Sequence, residues 1–360
     1  VRAVLRALHE GDHAVIGNAT GCLEVSSFMY PYTAWEDSYI HNAFENAGAT
    51  LSGVETAYKA LKKRGKLPED VNYKFITFGG DGGTYDIGFQ SLSGAMERGH
   101  DMVYVCYDNG AYMNTGIQRS SATPMYADTT TTPVGKQSNG KMQNRKDLAS
   151  IIADHDVPYV AQTTFTTNFQ DIHRKAEKAI YTEGASFLNV MTPCPRGWRY
   201  DAAEVMKICK LAVETCYWPL FEVDHGKWIL SYEPKKKLPI EDFLREQGRF
   251  KHLFKKGNEH LIEQFQVMEP FGKGNKRPLF AEKDLKVIQP KIVGKNENVL
   301  QCILEDKQGN RMKAVYFGDV KTCLKEMLAG KVTAVTYFPS INEYMGRRSI
   351  QLTIVNYQKK

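Results

Sequence analysis

The sequence lacks several features that would place it in common classes of protein. Its apolar runs all fall short of the roughly eighteen residues that a membrane-spanning helix needs, and no signal peptide opens the chain. Its seven cysteines are an odd number and lack the spacing of a disulfide framework. We therefore expect a cytoplasmic protein with reduced cysteines and no membrane partner.

Charge is distributed unevenly along the 360 residues, which are enough for two domains. The formal net charge is +6, with 42% hydrophobic and 24% charged residues, a composition typical of globular proteins. Residues 269–360 contain 17 Lys and Arg against 9 Asp and Glu, whereas residues 1–268 contain 30 against 32. This asymmetry suggests that the last quarter of the chain has an anionic partner of its own.

The cysteines divide by their sequence surroundings. Cys106 falls inside an apolar run, while Cys209 and Cys216 are seven apart in a helical pattern, so we expect packing to explain all three. Cys22 and Cys194 stand among Gly or Pro in predicted loops. These two thiols are therefore candidate cluster ligands.

The first 218 residues alternate short β-rich runs with helical patterns. Predicted strands are 13–16, 73–78, 102–107, 159–162 and 187–191. Predicted helices are 43–64, 87–98, 147–154, 169–181 and 202–217. This alternation is typical of an α/β fold, in which helices flank a parallel sheet. Ligands bind such folds at the carboxyl ends of the strands, where we expect the loops 17–22, 79–83, 108–116 and 192–197.

The run FITFGGDGGTYDIG at 75–88 is the most informative stretch. Its apolar strand ends in glycines, which let backbone N–H groups approach phosphate oxygens, and Asp81 follows where a divalent cation needs an oxygen ligand. Asn109 comes 28 positions later, after the next predicted strand. Because adjacent strand ends share one crevice, Asp81 and Asn109 are predicted to hold one Mg2+ together with diphosphate oxygens and water. A lone Gly-Asp-Gly is otherwise usually a turn.

The later part of the chain has a different character. Residues 1–218 are predicted to form the α/β domain, 219–267 its C-terminal arm, and 268–360 a separate basic domain. In the last segment, a helical run at 320–328 separates the third and fourth of five strand-like runs, at 285–293, 299–305, 311–317, 331–338 and 349–357. Five strands with a helix after the third predict an OB fold, a small all-β barrel.

Four motifs together carry a family resemblance. They are GDGGTYDIG at 80–88, DNGAYMNTGIQRS at 108–120, GNATGC at 17–22 and TPCPRGW at 192–198. With them, the chain from residue 1 to about 265 resembles the beta subunit of pyruvate:ferredoxin oxidoreductase, a thiamine diphosphate-dependent 2-oxoacid:ferredoxin oxidoreductase. The GDG run followed by an Asn after one βαβ unit is similar to the thiamine diphosphate motif.

This resemblance implies a role for each matching residue. The Mg2+ ligands would be Asp81, the side chain of Asn109 and the backbone oxygen of Ala111. Asn114 would be catalytic, as a hydrogen-bond donor near the reacting carbon, although its side chain could also serve only to stabilise its own loop. The residues that would contact thiamine diphosphate and its Mg2+ are Gly80, Asp81, Gly82, Gly83, Asn109, Ala111, Asn114 and Thr115.

The resemblance also implies partners. In this family the carboxylate that activates the cofactor belongs to an alpha subunit, so this chain would be half of a catalyst, with gamma and delta subunits as further partners. The expected reaction converts a 2-oxoacid, such as pyruvate, and coenzyme A to an acyl-CoA and CO2, and passes electrons to ferredoxin. Glu24, Glu45 and His41 are accordingly expected to be structural rather than catalytic.

Family members hold a 4Fe-4S cluster with four cysteines, and Cys22 and Cys194 match two of them. The Cys-x-x-Cys pair that supplies the other two is absent, and Val1 falls inside what resembles the helix after that pair. We therefore expect a truncated N-terminus. Two thiolates do not complete a four-cysteine cluster, so we expect the cluster to be lost or poorly bound.

A second resemblance covers residues 268–360. MEPFGKGNKRPLF at 268–280, IVGKNENVLQCILED at 292–306 and INEYMGRRSIQL at 341–352 resemble the C-terminal OB domain of RecJ-type single-strand DNA exonucleases. The Asp-His-His motifs of the nuclease are absent, so no nuclease activity is expected. The likeness implies a single-stranded nucleic acid as partner, contacted by Lys313, Tyr344, Arg347 and Arg348. The two resemblances meet near residue 267, which indicates a fusion or an assembled sequence.

Three hypotheses about function stay open at this point. The first is an oxidoreductase subunit that carries an OB module. The second is a single-stranded nucleic-acid-binding chain whose α/β part is inert. The third is a structural partner with a thiamine-type fold and no bound cofactor. OB barrels also bind proteins and sugars, so fold alone does not choose among them.

Overall fold

The computed structural model describes residues 1–68, 71–135, 138–165, 169–254, 279–294, 296–344 and 347–359. The chain forms two compact units, Val1–His252 and Leu253–Lys360. The domain boundary predicted near residue 267 lies outside the described residues, so the division at that position stays a prediction.

An eight-stranded sheet forms the centre of the first unit. Its strands are β1 (Asp12–Ala19), β2 (Ser38–Asn42), β3 (Asn72–Gly80), β4 (Val103–Asp108), β5 (Tyr159–Thr164), β6 (Ser186–Met191), β7 (Leu220–Asp224) and β8 (Lys227–Tyr232). Their order across the sheet is β2-β1-β3-β4-β6-β5-β7-β8. The first six pair with one another in parallel, whereas β7 is antiparallel to both β5 and β8. The predicted parallel sheet is confirmed, and β7 and β8 extend it.

Helices cover both faces of this sheet. They are α1 (Arg2–Leu5), α2 (Cys22–Ser27), α3 (Ala47–Lys63), α4 (Phe89–Glu97), α5 (Leu148–Ala153), α6 (Gln170–Tyr181), α7 (Pro195–Trp198), α8 (Val205–Glu214) and α9 (Ile240–Arg245). One core lies between the sheet and α3, α4 and α5, and a second lies between the sheet and α1 and α6. In β4, Tyr104 and Cys106 face the first core while Val103 and Val105 face the second, because a strand alternates its side chains. Among the described helices, none is long and apolar enough to cross a membrane.

Three local predictions need correction. Strand β2 was not predicted, and the helix expected over residues 43–64 begins only at Ala47, after that strand. The glycines expected in a loop at 79–83 instead end β3 and begin a π-helix, Gly82–Ile87, so α4 starts at Phe89. Cys216 is exposed rather than packed, since it lies beyond the end of α8 at Glu214, where the backbone has a left-handed φ of 58°.

The second unit contains a six-stranded sheet in the order β10-β11-β12-β14-β13-β9. Its elements are β9 (Phe280–Lys283), β10 (Lys286–Val293), β11 (Val299–Glu305), β12 (Arg311–Tyr316), α10 (Val320–Leu328), β13 (Val332–Tyr344) and β14 (Arg347–Lys359). Only Asp284, with a φ of 61°, and Leu285 separate β9 from β10. Since β9 pairs with β13 and β10 pairs with β11, one interrupted strand closes the ring. The predicted OB fold, with its helix after the third strand, is confirmed.

We expect Leu188→Ala to lower the free energy of unfolding of the first unit by about 2–5 kcal/mol, because it leaves a cavity in a close-packed core. Leu188 is fully buried on β6, between Val105 of β4 and Ala161 of β5. Urea unfolding followed by circular dichroism measures the change. Leu61→Ala is the matched control, since Leu61 is 38% exposed on α3. Equal losses in the two variants would contradict the assignment of this core.

Candidate active site

Three segments that follow neighbouring strands line one pocket. Residues 20–22 follow β1, residues 80–83 end β3 and begin the π-helix, and residues from 109–115 follow β4. Strand β3 lies between β1 and β4 and is parallel to both, so the three carboxyl ends meet at one edge of the sheet. Phe44 and Tyr107 complete the lining. Three of the four predicted loops therefore share this pocket.

Asp81 is a buried carboxyl group in this pocket, 1% exposed. Its Oδ1 accepts a hydrogen bond from the backbone N–H of Asn109 at 3.2 Å, and its Oδ2 accepts one from the hydroxyl of Ser120 at 2.5 Å. Burial, and then the nearby Asp108 carboxylate, raises the pKa of Asp81 to about 8. Removing this carboxylate from water is costly unless a positive charge compensates it, so the position suits a cation.

The side chain of Asn109 points at Asp81. Its oxygen position lies 2.9 Å from Asp81 Oδ1 and 2.7 Å from the carbonyl oxygen of Ala111. An amide oxygen at this position would face two other acceptor oxygens, which is unfavourable unless a positive group lies between them. Turning the amide over places its NH2 there, as a donor to both neighbours. A bound cation would leave the amide oxygen facing inward, which gives three oxygens around one point.

Asp108 is committed to another partner. The guanidinium of Arg145 bonds both oxygens of the Asp108 carboxylate, and it donates to the hydroxyl of Tyr85 at 2.6 Å. The same guanidinium lies over the ring of Trp218, 4.6 Å from its centroid. Arg145 therefore neutralises Asp108 and leaves Asp81 as the carboxylate that faces the pocket.

Gly82 and Gly83 occupy positions with no room for a side chain. A Cβ at Gly82 would lie 2.2 Å from the Tyr112 ring, whose hydroxyl donates to the Gly82 carbonyl at 2.7 Å. A Cβ at Gly83 would lie 3.0 Å from the carbonyl oxygen of Phe44. Both glycines are fixed by this close packing, and they keep side chains out of the pocket beside Gly80.

Asn114 and Thr115 line the exposed mouth of the pocket. Their turn is held by Thr115, whose hydroxyl donates to Gln118 and whose carbonyl accepts from the Gln118 amide at 2.8 Å. Within the described residues, no hydrogen bond occupies the side chain of Asn114. The amide is therefore available to a ligand, and the loop does not depend on it.

Cys22 begins α2 and lines the pocket, whereas Cys194 precedes α7 and accepts a bond from the Gly197 N–H at 3.5 Å. Burial, and then the neighbouring Cys194, raises the pKa of Cys22. In the part of the chain that is described, no three His, Cys, Asp or Glu residues are grouped for a metal ion. The structure thus brings the two predicted thiols together without completing a cluster site.

Several residues that shape the site had no role assigned from sequence. Ser120 bonds Asp81, and the indole N–H of Trp198 donates to the Asn109 carbonyl at 2.6 Å. The Arg249 guanidinium lies 3.8 Å from the Trp198 ring centroid. Ser120 and Trp198 stand inside the motifs that carry the resemblance, so those motifs held the signal. Arg145 lies outside them, in a stretch with no local pattern.

The three residues expected to be structural lie beside the pocket and do not line it. His41 is on β2, with its Nε2 3.1 Å from the Thr20 hydroxyl and 3.5 Å from the Glu24 carboxylate. Glu24 is buried on α2. Glu45 borders a separate groove beside α3 and α4.

The candidate nucleic-acid residues lie on strands of the OB unit. Lys313 is exposed on β12. Tyr344 ends β13 and pairs with Arg347, which begins β14 and is followed by Arg348. The side chains of these last three lie outside the described residues. Their role in contacting nucleic acid stays a prediction.

Two family models match the chain. The C-terminal thiamine pyrophosphate-binding domain of thiamine pyrophosphate enzymes matches residues 16–190, and the RecJ OB domain matches residues 253–356. The two matches fall in the two compact units. The first unit therefore has the thiamine diphosphate-binding fold, and the second has an OB fold.

Curated relatives match the first unit. Pyruvate synthase subunit PorB of Thermotoga maritima is 54% identical over 261 residues, which cover 72% of this chain and 80% of that subunit. The PorB subunit of Methanocaldococcus jannaschii is 51% identical over 244 residues, 68% of this chain and 81% of the subunit. The chain belongs to the 2-oxoacid:ferredoxin oxidoreductase beta-subunit family. The predicted resemblance is confirmed.

Other members of the same family differ in the substrate that their names state. Ketoisovalerate oxidoreductase subunit VorB of Pyrococcus abyssi is 43% identical over 263 residues, 72% of this chain and 83% of that subunit. Among solved structures, a 2-oxoglutarate:ferredoxin oxidoreductase from Magnetococcus marinus is 20% identical, covers 74% of this chain and 88% of its own, and has a TM-score of 0.44. A similarity of that size supports no inference about this chain.

We expect Gly82→Ala to abolish the stabilisation of this family member by thiamine diphosphate with Mg2+, because the new methyl group would displace Tyr112 into the pocket. Thermal unfolding with and without cofactor measures the effect. Gly53→Ala is the matched control, since a Cβ there meets no atom within 4 Å and Ala favours helix over Gly by about 1 kcal/mol. Equal cofactor-induced shifts in the two variants would contradict this account of the pocket.

Proposed function

We propose that the chain is the cofactor-binding beta subunit of a pyruvate:ferredoxin oxidoreductase. The complex would decarboxylate pyruvate oxidatively, form acetyl-CoA from coenzyme A, and pass electrons to ferredoxin in the cytoplasm. One observation carries the proposal: the amide of Asn109 reaches both Asp81 Oδ1 and the Ala111 carbonyl oxygen in a pocket of a thiamine diphosphate-binding fold. The 54% identity with a pyruvate synthase subunit supports pyruvate among the 2-oxoacids.

The converging oxygens fit Mg2+. Octahedral Mg2+ binds oxygens at about 2.0–2.1 Å, so neighbouring ligands at right angles are about 2.8–3.0 Å apart. The Asn109 oxygen position is 2.9 Å from Asp81 Oδ1 and 2.7 Å from the Ala111 carbonyl oxygen. Asp81, Asn109 and Ala111 would supply a carboxylate, an amide and a carbonyl oxygen, and diphosphate oxygens and water would supply the rest. Mg2+ commonly keeps such ligands when it binds phosphate groups.

The same pocket fits a diphosphate beside the cation. Gly80, Gly82 and Gly83 present backbone without side chains next to Asp81. Thiamine diphosphate, when bound, supplies a carbon nucleophile for the carbonyl of a 2-oxoacid. The residues of this chain would bind and orient: Asp81 and Asn109 would hold the cation, and the Tyr112 hydroxyl donates to the Gly82 carbonyl. Asn114 and Thr115 stand at the mouth of the pocket, where substrate would enter.

Asn114 is proposed to act on the substrate. Its amide lines the pocket and has no hydrogen-bond partner among the described residues. An amide donor directed at the oxygen where negative charge develops would lower the barrier for the carbonyl chemistry. A partner alpha subunit would supply the carboxylate that activates the cofactor. Glu24, Glu45 and His41 do not line the pocket and fit structural roles instead.

An iron-sulfur cluster does not fit the described residues. Cys22 and Cys194 are neighbours, but no third thiol joins them within the described part of the chain. A 4Fe-4S cluster takes four cysteines. Electron transfer out of the active site is therefore assigned to no residue here.

Asp81→Ala tests the proposal. With ligand at about 100 times its Kd, the wild-type chain should gain about 2.7 kcal/mol of stability from thiamine diphosphate with Mg2+. The variant should gain almost none, because it loses the carboxylate that would bind the cation. Differential scanning fluorimetry of the full chain measures the gain.

Asp154→Ala, at an exposed position after α5, is the matched control and should keep the full gain. A wild-type chain that gains nothing, with or without the alpha subunit, would favour a purely structural role. An Asp81→Ala chain that gains as much as the wild type would rule out the proposed cation site.

A second candidate function concerns the OB unit. The RecJ OB match over residues 253–356 and the excess of Lys and Arg after residue 268 support single-stranded nucleic acid as its partner. Lys313, Tyr344, Arg347 and Arg348 are the proposed contacts. The proposal is independent of the cofactor pocket, so the two functions can hold together or fail separately.

We expect the full chain to bind a single-stranded oligonucleotide with an affinity that falls steeply as salt rises. Fluorescence anisotropy at several salt concentrations measures it. Lys313→Ala should weaken binding and reduce the slope of log K against log salt by about 0.7, as expected for one lost phosphate contact. Lys321→Ala, on α10 rather than on the sheet, should leave the slope unchanged. A binding constant that does not respond to salt would argue against this function.

A further inference from the structure

One segment, Ser120–Thr123, contacts the cation site at two places, at Asp81 and at the loop that carries Asn109. Ser120 donates to Asp81 Oδ2 at 2.5 Å, and Thr123 donates to the Gly110 carbonyl at 2.7 Å. Ser121 binds Asp86, at the far end of the π-helix, through its backbone N–H at 2.9 Å and through its hydroxyl. The segment therefore connects Asp81 and the π-helix after it to the loop that carries Asn109.

The contact with Ser120 also decides which oxygen of Asp81 is available. Ser120 occupies Oδ2, so Oδ1 is left to face the side chain of Asn109. A hydrogen bond to one carboxylate oxygen fixes the rotation of the whole group. The geometry of the cation site thus depends on where the segment Ser120–Thr123 is held.

Lys141 holds that segment. Its side chain is fully buried, and its ammonium donates to the carbonyl oxygens of Thr123 at 2.5 Å, Ser121 at 3.1 Å and Asn144 at 3.4 Å. Within the described residues, none of its hydrogen-bond partners is a carboxylate, although the Asp86 and Asp81 carboxylates attract the ammonium without bonding to it. Burial, followed by the repulsion of Arg119 and Arg145, lowers the pKa of Lys141 to about 8, so the group is an ammonium at neutral pH.

A buried ammonium without a directly bonded counterion is costly, and three carbonyl oxygens accept its hydrogen bonds. The two carbonyls from the segment belong to residues whose other groups bind Asp86 and Gly110. Pulling these carbonyls toward Lys141 turns the opposite side of the segment toward the cation site. The observed contacts make Lys141 the anchor of the segment although its ammonium reaches neither Asp81 nor Asn109.

We propose that Lys141 is a positioning residue of the cation site, which acts through Ser120–Thr123 on the rotation of Asp81 and the position of the Asn109 loop. This proposal rests on the function proposed above, because it names what holds the metal ligands in place. Residues that hold metal ligands in place without touching the metal commonly change metal affinity by about 10- to 100-fold.

The test is a Mg2+ titration of the full chain at saturating thiamine diphosphate, by calorimetry. Lys141→Met removes the ammonium and keeps most of the side-chain volume, and we expect it to weaken Mg2+ binding at least about tenfold. Lys141→Gln keeps an N–H donor, so its loss should be smaller and its fold more secure. Lys175→Met is the control, because Lys175 is also fully buried and bonds the Gln162 carbonyl and the Asp171 carboxylate, neither of which lines the pocket.

A structural role alone would lower the melting temperature of Lys141→Met and Lys175→Met alike and would leave Mg2+ affinity unchanged in both. A double-mutant cycle with Ser120→Ala separates the routes. If Lys141 acts through Ser120, adding Lys141→Met to Ser120→Ala should cost less Mg2+ affinity than Lys141→Met costs alone. Additive losses overturn the proposed route.

The remaining outcomes of the titration also test the proposal. If Lys141→Met does not fold, Lys141→Gln carries the test, and wild-type Mg2+ affinity in that variant overturns the proposal. A wild-type chain that binds no Mg2+ with thiamine diphosphate overturns the proposed function and this inference together. Wild-type and Lys175→Met chains that bind Mg2+ normally, beside a Lys141→Met chain that binds equally well, overturn this inference alone.

Discussion

The approach of the Asn109 side chain to both Asp81 Oδ1 and the Ala111 carbonyl oxygen is the interaction on which the site depends. It arises because β3 and β4 are adjacent and parallel, so their carboxyl ends deliver a carboxylate and an amide to one point. Arg145 removes the competing charge of Asp108, and burial leaves Asp81 strongly in need of a counter-charge. The fold therefore buries a carboxylate whose charge a divalent cation would neutralise.

Two sets of residues surround this point. The residues that face the pocket are few, and a larger set holds them: Ser120, Tyr112, Trp198, Arg145 and Lys141. Most of these supports come from the long connection between β4 and α5, which folds back over the strand ends. A connection of this length can contact the ends of both β3 and β4, whereas a short turn could not reach both. The chemistry at the sheet edge thus depends on a loop that contributes backbone carbonyls as much as side chains.

Much of the fold and the central pair of the site could be predicted from sequence. Continuous apolar runs such as Phe75–Phe78 indicate strands buried on both faces, and Asp81 and Asn109 follow two such runs in succession. Strand β2 escaped prediction because its residues, SYIHN, lack a clear apolar pattern. The roles of Lys141 and Arg145 could not be predicted, because their partners lie 18 and 37 positions away and local residue spacing does not indicate such contacts. The π-helix after Gly80 escaped because glycines usually predict loops.

The interrupted first strand of the OB unit has a consequence for how that unit can be separated from the rest. Strand β9 pairs with one edge of β13, and β10 pairs with one edge of β11, with the interruption at Asp284 between them. A fragment that started at Leu285 would keep β10 but uncover β13, which would then offer free N–H and C=O groups to a neighbouring molecule. Self-association through that exposed edge is the hazard of cutting the chain too late, and a fragment that includes Phe280 avoids it.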